Sequence, residues 1–516
     1  MLCDIVASGG DMARYKDHSY TQGITIPIDF TKQIVPGTLE HTIHWLVDNK
    51  INLAEIEKKY KNDDTGAPAY DPRVLLKIVL FAYSRGIISS RTIMRACREN
   101  IVFRALSADS SPDFTTIASF IRGMKDEISI IFTNVLLVCA EMDLLGGTEF
   151  ALDGCKMSSN ASKEMSGTFS DLEKKKQKIE KTITFLIEKH ESRDTDEAGD
   201  KTDEAREHHE QRIDRLDKKA AKIEHFLNNA KPKLKSRHGE AQSNITDNES
   251  AKMKTGHGVI QGYNGLALVD AKHQIVVQAE AFGSGQEHNL LQPMIEAAKE
   301  TAAEAGLGED YFRETRIIAD TGCFEEDNLK YLDNEGVDAY IPDQQFRKRD
   351  PRFADVKRHK LSGKGLFTKD DFVYDKENNC FTCPAGKILK YSRYQRFNNT
   401  EGRVYISKRT QCRDCELRNR CLASGNTRYR TLYVIEKYFN RNYSDDMKKK
   451  IDTEAGREIY SRRMGIIEPV FGNIRGNKRL DRFTLRGKSK VNIQWMLYTI
   501  VHNIEKLTRY ALLGTT

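Results

Sequence analysis

Two short apolar runs in this chain each end in an aspartate: Glu149-Phe150-Ala151-Leu152-Asp153 and Arg316-Ile317-Ile318-Ala319-Asp320. Each is a short strand-like run closed by an acid. An acid closing such a run stands at the rim where ligands bind in α/β folds. One aspartate after a strand is ordinarily a turn or cap residue. What gives these two their meaning is the order of the elements around them.

Strand patterns continue with Gly258-Val259-Ile260-Gln261-Gly262-Tyr263-Asn264 and Leu266-Ala267-Leu268-Val269-Asp270. Gln274-Ile275-Val276-Val277-Gln278-Ala279 follows, which together reads as an antiparallel meander. A helix comes next over about 288–305, then the run ending in Asp320, a helix past Glu325 and a strand at Ala339-Tyr340-Ile341-Pro342. With Glu149–Asp153 as the first strand, the order is three strands, helix, strand, helix, strand. That order predicts an α/β core of the RNase H-like kind, whose first and fourth strands are neighbours. Asp153 and Asp320 would then meet.

At 516 residues the chain can bury more than one core, and five regions are expected. Residues 1–145 read as an N-terminal all-α, DNA-binding domain. Asp71 caps a helix that Pro72 opens and that ends near Gly86. A second helix follows Ser89-Ser90, a third follows Asp113, and Arg91, Arg95 and Arg98 lie near one face of the second. Residues 146–164 and 236–344 form the core. Residues 165–235 interrupt it: Ile213, Leu216, Ala220, Ile223 and Leu227 repeat at coiled-coil spacing, with Leu172, Ile179, Ile183 and Leu186 as a matching stripe. An antiparallel helical hairpin results, serving as spacer or as dimer contact. Residues 345–440 form a basic, Cys-rich insertion, with clusters such as Phe346-Arg347-Lys348-Arg349 and Lys357-Arg358-His359-Lys360. Residues 441–516 return to the core as C-terminal helices, with Trp495, Met496 and Leu497 in an apolar one.

Composition excludes other classes. Charged residues make up 30% and hydrophobic ones 39%, and no run reaches the about 18 apolar residues that a membrane helix needs. Residues 1–20 lack a basic region followed by an apolar one, so no signal peptide is expected and residence is cytoplasmic. Net charge is +7, yet from Gly456 onward there are 12 Lys+Arg against 4 Asp+Glu, a local +8 on a near-neutral body. Such a basic end fits phosphate contact or, equally, a solvated helix face.

A third acid joins the two aspartates. Glu468 lies between a helical stretch that fades near Gly465 and another that Pro469, at its first turn, opens. Three carboxylates brought together repel and need cations between them. Oxygen donors of this kind suit Mg²⁺ or Mn²⁺, and two such ions serve phosphoryl transfer by acting on the attacking and leaving oxygens. Downstream of Glu468, Arg475, Lys478, Arg479, Arg482 and Arg486 supply much of the basic excess, and beside such a site they read as DNA-backbone contacts.

Ten cysteines in a reducing compartment should be mostly thiols. Cys3, Cys97, Cys139, Cys155 and Cys323 are scattered, as small buried apolar groups often are. The other five cluster: Cys380-x2-Cys383 and Cys412-x2-Cys415, then Cys421. This is zinc-ribbon-like spacing, with reduced, unligated thiols as the plainer alternative. Five thiols for four positions leave the ligand set open.

The flanks of the three acids resemble those of bacterial insertion-sequence DDE transposases. Leu152-Asp153-Gly154-Cys155-Lys156 with Ser159-Asn160-Ala161-Ser162-Lys163 is similar to that family's first-acid motif. Ala319-Asp320-Thr321-Gly322-Cys323 with Asn328-Leu329 is similar to its second, and Glu468-Pro469-Val470-Phe471-Gly472-Asn473-Ile474-Arg475 to its third. The stretch from Tyr70 to Asn100 resembles its N-terminal helical domain. The resemblance implies a metal-binding triad of Asp153, Asp320 and Glu468, and a phosphate-binding cation at Arg475. Here Tyr460 and Arg463 keep the family's spacing, but four residues rather than three separate Arg463 from Glu468. Arg463 is carried over as a DNA contact. The resemblance also favours Cys383, Cys412, Cys415 and Cys421 as ligands of a structural Zn²⁺, through Cys383-Pro384-Ala385-Gly386.

The function implied is a DNA transposase that cuts at insertion-sequence ends and joins them to target DNA with two Mg²⁺ or Mn²⁺. Its partners would be the element's terminal repeats and target DNA, bound by a homodimer or larger assembly that joins two ends. The alternatives are an RNase H-like nuclease without strand transfer and a transposase-derived, non-catalytic DNA-binding protein.

Overall fold

Strand β1 (Glu149–Ser158) runs through the middle of a six-stranded mixed sheet. On one side it pairs antiparallel with β3 (Gly258–Asp270), from Phe150↔Asp270 to Ser158↔Gly262. On the other it pairs parallel with β5 (Arg316–Ala319), which in turn pairs parallel with β6 (Asp338–Tyr340). The far edge of β3 is shared by β2 (Ala251–Thr255) and β4 (Val276–Phe282), both antiparallel to it. The computed structural model describes residues 27–60, 68–196, 203–234, 239–256, 258–356, 366–397, 400–439 and 442–511. Residues 1–20, Cys3 and the basic cluster 357–360 fall outside them.

The expected order of strands and helices is present, with three differences, the first being an edge strand, β2, at Ala251–Thr255 that the sequence patterns did not announce. β3 is one unbroken strand rather than two runs. Gly265, which interrupts its apolar pattern, is small because the Trp495 indole lies against it, where a Cβ would come within 2.9 Å of the ring. β1 also continues five residues past Asp153, because β3 keeps it paired after the parallel ladder with β5 has ended.

Ahead of the sheet lie helices α1 (Leu39–Asn49), α2 (Pro72–Ser84), α3 (Ser90–Glu99), α4 (Phe114–Gly123) and α5 (Glu127–Glu141). Their starts obey the capping rule: Asp71 and Asp113 accept hydrogen bonds from Arg73 N–H (2.7 Å) and Thr115 N–H (2.8 Å). Two of the arginines on α3 are engaged within the bundle, Arg91 over the Phe114 ring and Arg98 on Ser111. Helices α6 (Phe169–Asp196) and α7 (Asp203–Asn229) pair antiparallel, as Lys176–Glu224 and His209–Leu186 contacts show. Leu172, Ile223 and Met165 are buried at their base. Helices α8 (Leu291–Glu304) and α9 (Glu326–Asn334) follow β4 and β5. Next in the chain is a five-stranded antiparallel sheet: β7 (Val373–Asp375), β8 (Cys380–Thr382), β9 (Ile388–Phe397), β10 (Thr400–Ser407) and β11 (Thr431–Ile435). Helices α10 (Tyr443–Ile451), α11 (Glu454–Gly472) and α12 (Lys488–Tyr510) close the chain.

Helix α12 joins the two halves. It packs on β4 and on α1, α2 and α5, so one continuous hydrophobic core runs from the N-terminal helices through the sheet. It also covers the outer edge of β4. Asn503 bonds both the N–H and the C=O of Val276 at 2.8 Å, and Asn492 accepts from Ala281 N–H, leaving fewer open ladder groups to recruit another strand. Trp495 fixes the helix in register: its indole N–H donates to Leu266 C=O at 2.9 Å while its ring meets Gly265, Phe471 and Phe483. Trp495→Ala should therefore lower unfolding stability by about 3–5 kcal/mol, and Trp495→Phe by less, as read from urea denaturation. Equal midpoints for Trp495→Ala and wild type would show that α12 is not the spine of the core.

Candidate active site

The last parallel pair between β1 and β5 is Leu152↔Ala319. Asp153 and Asp320 come immediately after it, one on each strand, where the two chains part. Asp320 is held by its own turn, accepting hydrogen bonds from Thr321 N–H (2.7 Å) and Thr321 Oγ1 (3.3 Å). Asp153 accepts from Gly154 N–H at 2.8 Å. The structure therefore brings together the two aspartates expected from strand endings.

A third carboxylate joins them, and it is Glu287. One ligand oxygen each from Asp153, Glu287 and Asp320 lie within 4.8 Å of one another. Glu287 sits in the turn between β4 and α8. Its Oε1 accepts from Asn264 Nδ2 (3.0 Å) and lies 3.4 Å from Lys156 Nζ. Gly322 makes room for it, since a Cβ there would come 2.8 Å from Glu287 Oε2. The three acids line an open cleft of ≈ 510 Å³, with Lys156, His288 and Gln344 also on its wall.

Arg463, on α11, forms an ion pair with Asp153 across the sheet, and both groups are largely buried. Burial pushes the Asp153 carboxyl up to about 6, against the pull of Arg463 and of Gly154 N–H. Burial works against the Arg463 charge in turn, but Asp153, Tyr460 and Asp320 beside it hold its pKa above the ordinary value. Arg463 thus points into the protein instead of outward as a DNA contact.

Glu468 is exposed on α11 and is not in the acidic group. No hydrogen bond or ion pair to it occurs among the described residues. The break expected at Gly465 is absent: α11 is continuous, with Pro469 inside it. A proline in a helix leaves the carbonyl four residues earlier without its partner, and here Gln274 Nε2 donates to Gly465 C=O at 3.0 Å in its place. The helix then widens into a π turn, Asn473–Asn477, that carries Arg475. Burial raises the Cys155 thiol, two residues along β1 from Asp153, and the nearby Arg475 charge opposes that rise.

The downstream cations divide. Arg475, Arg479, Arg482 and Arg486 are exposed. Arg482 and Arg486 both bond Asn160, at its side chain (3.2 Å) and its carbonyl (2.7 Å), just past the end of β1. Phe483 N–H donates to Ser158 C=O, so the first and third motifs are sewn together there. Lys478 is different. It is fully buried, with its ammonium 2.6 Å from Glu505, so it is a core cation beyond the reach of a DNA phosphate.

Sequence reasoning passed over Glu287 because an acid one turn before a helix reads as dipole complementarity. The signal was its setting, Gly283-Ser284-Gly285-Gln286-Glu287-His288, a glycine-rich joint placing polar groups between the third strand and its helix. Hard oxygen donors at this spacing fit Mg²⁺ or Mn²⁺, and the two nearby cations, Arg463 and Lys156, leave three carboxylates incompletely neutralised. In thermal unfolding of the DNA-free protein, Mn²⁺ at about 100 times its Kd should add roughly 2.7 kcal/mol. Glu287→Gln should remove most of that gain and Glu468→Gln little of it. The reverse ranking would mean that α11 supplies the third ligand.

Two protein families match this chain. The model of a family described as Transposase DDE domain matches residues 382–508, which include Arg463, Glu468 and the exposed arginines. A second, described as Transposase domain (DUF772), matches residues 29–123, the N-terminal helices. No curated protein matches. No helix among the described residues is long and apolar enough to cross a membrane.

Proposed function

We propose, from the premise that the two matches mark this chain as an insertion-sequence DDE transposase, that it cuts DNA at the ends of its element and joins them to target DNA. The observation that carries this is the meeting of Asp153, Asp320 and Glu287 in one open cleft. We read the sheet as RNase H-like. Its support is the strand order, in which the third and second strands lead to the first, followed by the fourth and fifth.

Asp153, Asp320 and Glu287 would hold divalent metal in the DNA-free protein. Glu468, on the resemblance of its motif, would act with them once DNA is bound, since α11 already lies across β1 through Arg463. Mg²⁺ or Mn²⁺ there supplies charge neutralisation at the phosphodiester and lowers the pKa of an attacking oxygen. In the first step water attacks the phosphorus at the element's end, the bond to the 3′ oxygen breaks, and a 3′-OH is freed. That hydroxyl then attacks a target phosphodiester, exchanging one ester bond for another without a nucleotide cofactor. Arg475, Arg479, Arg482 and Arg486 would hold backbone phosphates, and two protomers would bring two ends together.

The test uses the full chain and a DNA fragment carrying the gene with its own flanks, with Mg²⁺ or Mn²⁺. Cleavage at the borders and joined products are expected, both falling at least about a hundredfold in Asp320→Asn. Cutting without joining would identify a nuclease. Binding without cutting under either metal, unchanged by Asp320→Asn, would identify a non-catalytic DNA-binding protein.

A further inference from the structure

Asn264 is a polar residue in the middle of β3, opposite Lys156 on β1 and Phe282 on β4. It is fully buried. Its amide Nδ2 donates to Glu287 Oε1 at 3.0 Å. A carboxylate oxygen accepts, so the amide turns its NH₂ toward Glu287 and its carbonyl oxygen Oδ1 away. Among the described residues, no donor reaches that oxygen. A buried carbonyl left without a partner costs free energy, and such groups are rare enough that each needs a reason.

The place of that oxygen supplies the reason. A Cβ added to Gly154 would stand 2.6 Å from Asn264 Oδ1 and 2.8 Å from its Nδ2, so the glycine of the first-acid motif makes room for this amide. Gly154 directly follows Asp153, gives that carboxylate its N–H, and lines the acidic cleft. One end of the Asn264 amide therefore lies beside the first aspartate while the other holds the third acid. Both Asn264 and Lys156 address Glu287 at Oε1. Oε2 is the oxygen on the side of Gly322, two residues beyond Asp320. Lys156 is partly exposed and 3.4 Å away, a point charge on a flexible stem, whereas the buried amide fixes a direction.

We propose that Asn264 is the positioning residue of the acidic cleft: it holds Glu287 by Oε1 so that Oε2 serves a divalent ion, and its own Oδ1 accepts a hydrogen bond from water carried by that ion. The inference rests on the reading that Asp153, Asp320 and Glu287 hold Mg²⁺ or Mn²⁺. Mg²⁺ sheds water reluctantly and usually keeps several molecules, which are the donors that Oδ1 lacks. Carboxylate ligands are oriented by such outer hydrogen bonds. An aspartate at this position would have no N–H to offer Glu287 and would set a further carboxylate against it.

Mn²⁺ binding to the DNA-free full chain, read from the electron paramagnetic resonance of the free ion, tests this without DNA cleavage. Asn264→Ala should raise the Kd about 10–100-fold. In Asn264→Ala/Glu287→Gln the loss should fall well short of the product of the two single losses, because the same carboxylate contact is removed in both. A purely structural asparagine would give losses that multiply, and that result would overturn the proposal. Since Asn264→Ala can fail to fold, Gly154→Ala is the second variant: it keeps the amide but displaces it, and should weaken Mn²⁺ about tenfold or more. Placed on Asn264→Ala, the same alanine has nothing to displace and should cost little further. Wild-type affinity in Gly154→Ala, or in a folded Asn264→Ala, would also overturn the assignment. Wild-type protein that takes up no Mn²⁺ would overturn the metal reading itself, and the inference with it.

Discussion

Parallel pairing of β1 with β5 stops at Leu152↔Ala319, and the acidic cleft depends on where it stops. One more ladder pair would draw Asp153 and Asp320 into the sheet, and one fewer would leave them apart. A slip by a single residue would turn every side chain of the strand to the opposite face. The ladder ends there because Asp320 captures the N–H and hydroxyl of Thr321 and turns its chain away, while β3 carries β1 onward. Glu287 can approach only because the residue two places beyond Asp320 is glycine. The site is therefore a product of strand register first and of side-chain chemistry second.

Register is in turn secured from outside the sheet. Trp495 bonds the Leu266 carbonyl on β3, and Asn492 and Asn503 bind the edge of β4, so α12 fixes β4, the strand that leads into the turn bearing Glu287, together with its neighbour β3. The same helix meets α1, α2 and α5, which places the N-terminal helices and the acidic cleft on one core.

Patterns governed by local chemistry were legible in the sequence. Asp71 with Pro72 and Asp113 announced helix starts, and two apolar runs ending in aspartate announced a meeting of strands. The paired stripes of α6 and α7 announced an antiparallel hairpin. What depended on distant partners was not legible. Pro469 reads as a helix start, yet it lies inside α11 because Gln274, from a turn of the sheet, bonds the carbonyl it orphans. Lys478 reads as one more phosphate contact in a basic run, but Glu505 on α12 takes it into the core. Glu287 gains its place from Asn264 and Gly322, neither of which is near it in sequence.

The contact between Arg463 and Asp153 has a consequence for how a divalent ion enters the cleft. A concentrated negative charge usually makes folding wait upon a cation from solution. Here part of that cation is covalently supplied, on a helix that is itself part of the core. Arg463 thus offsets part of the Asp153 charge from within the fold itself. A divalent ion held at Asp153 would have to compete with that tethered guanidinium.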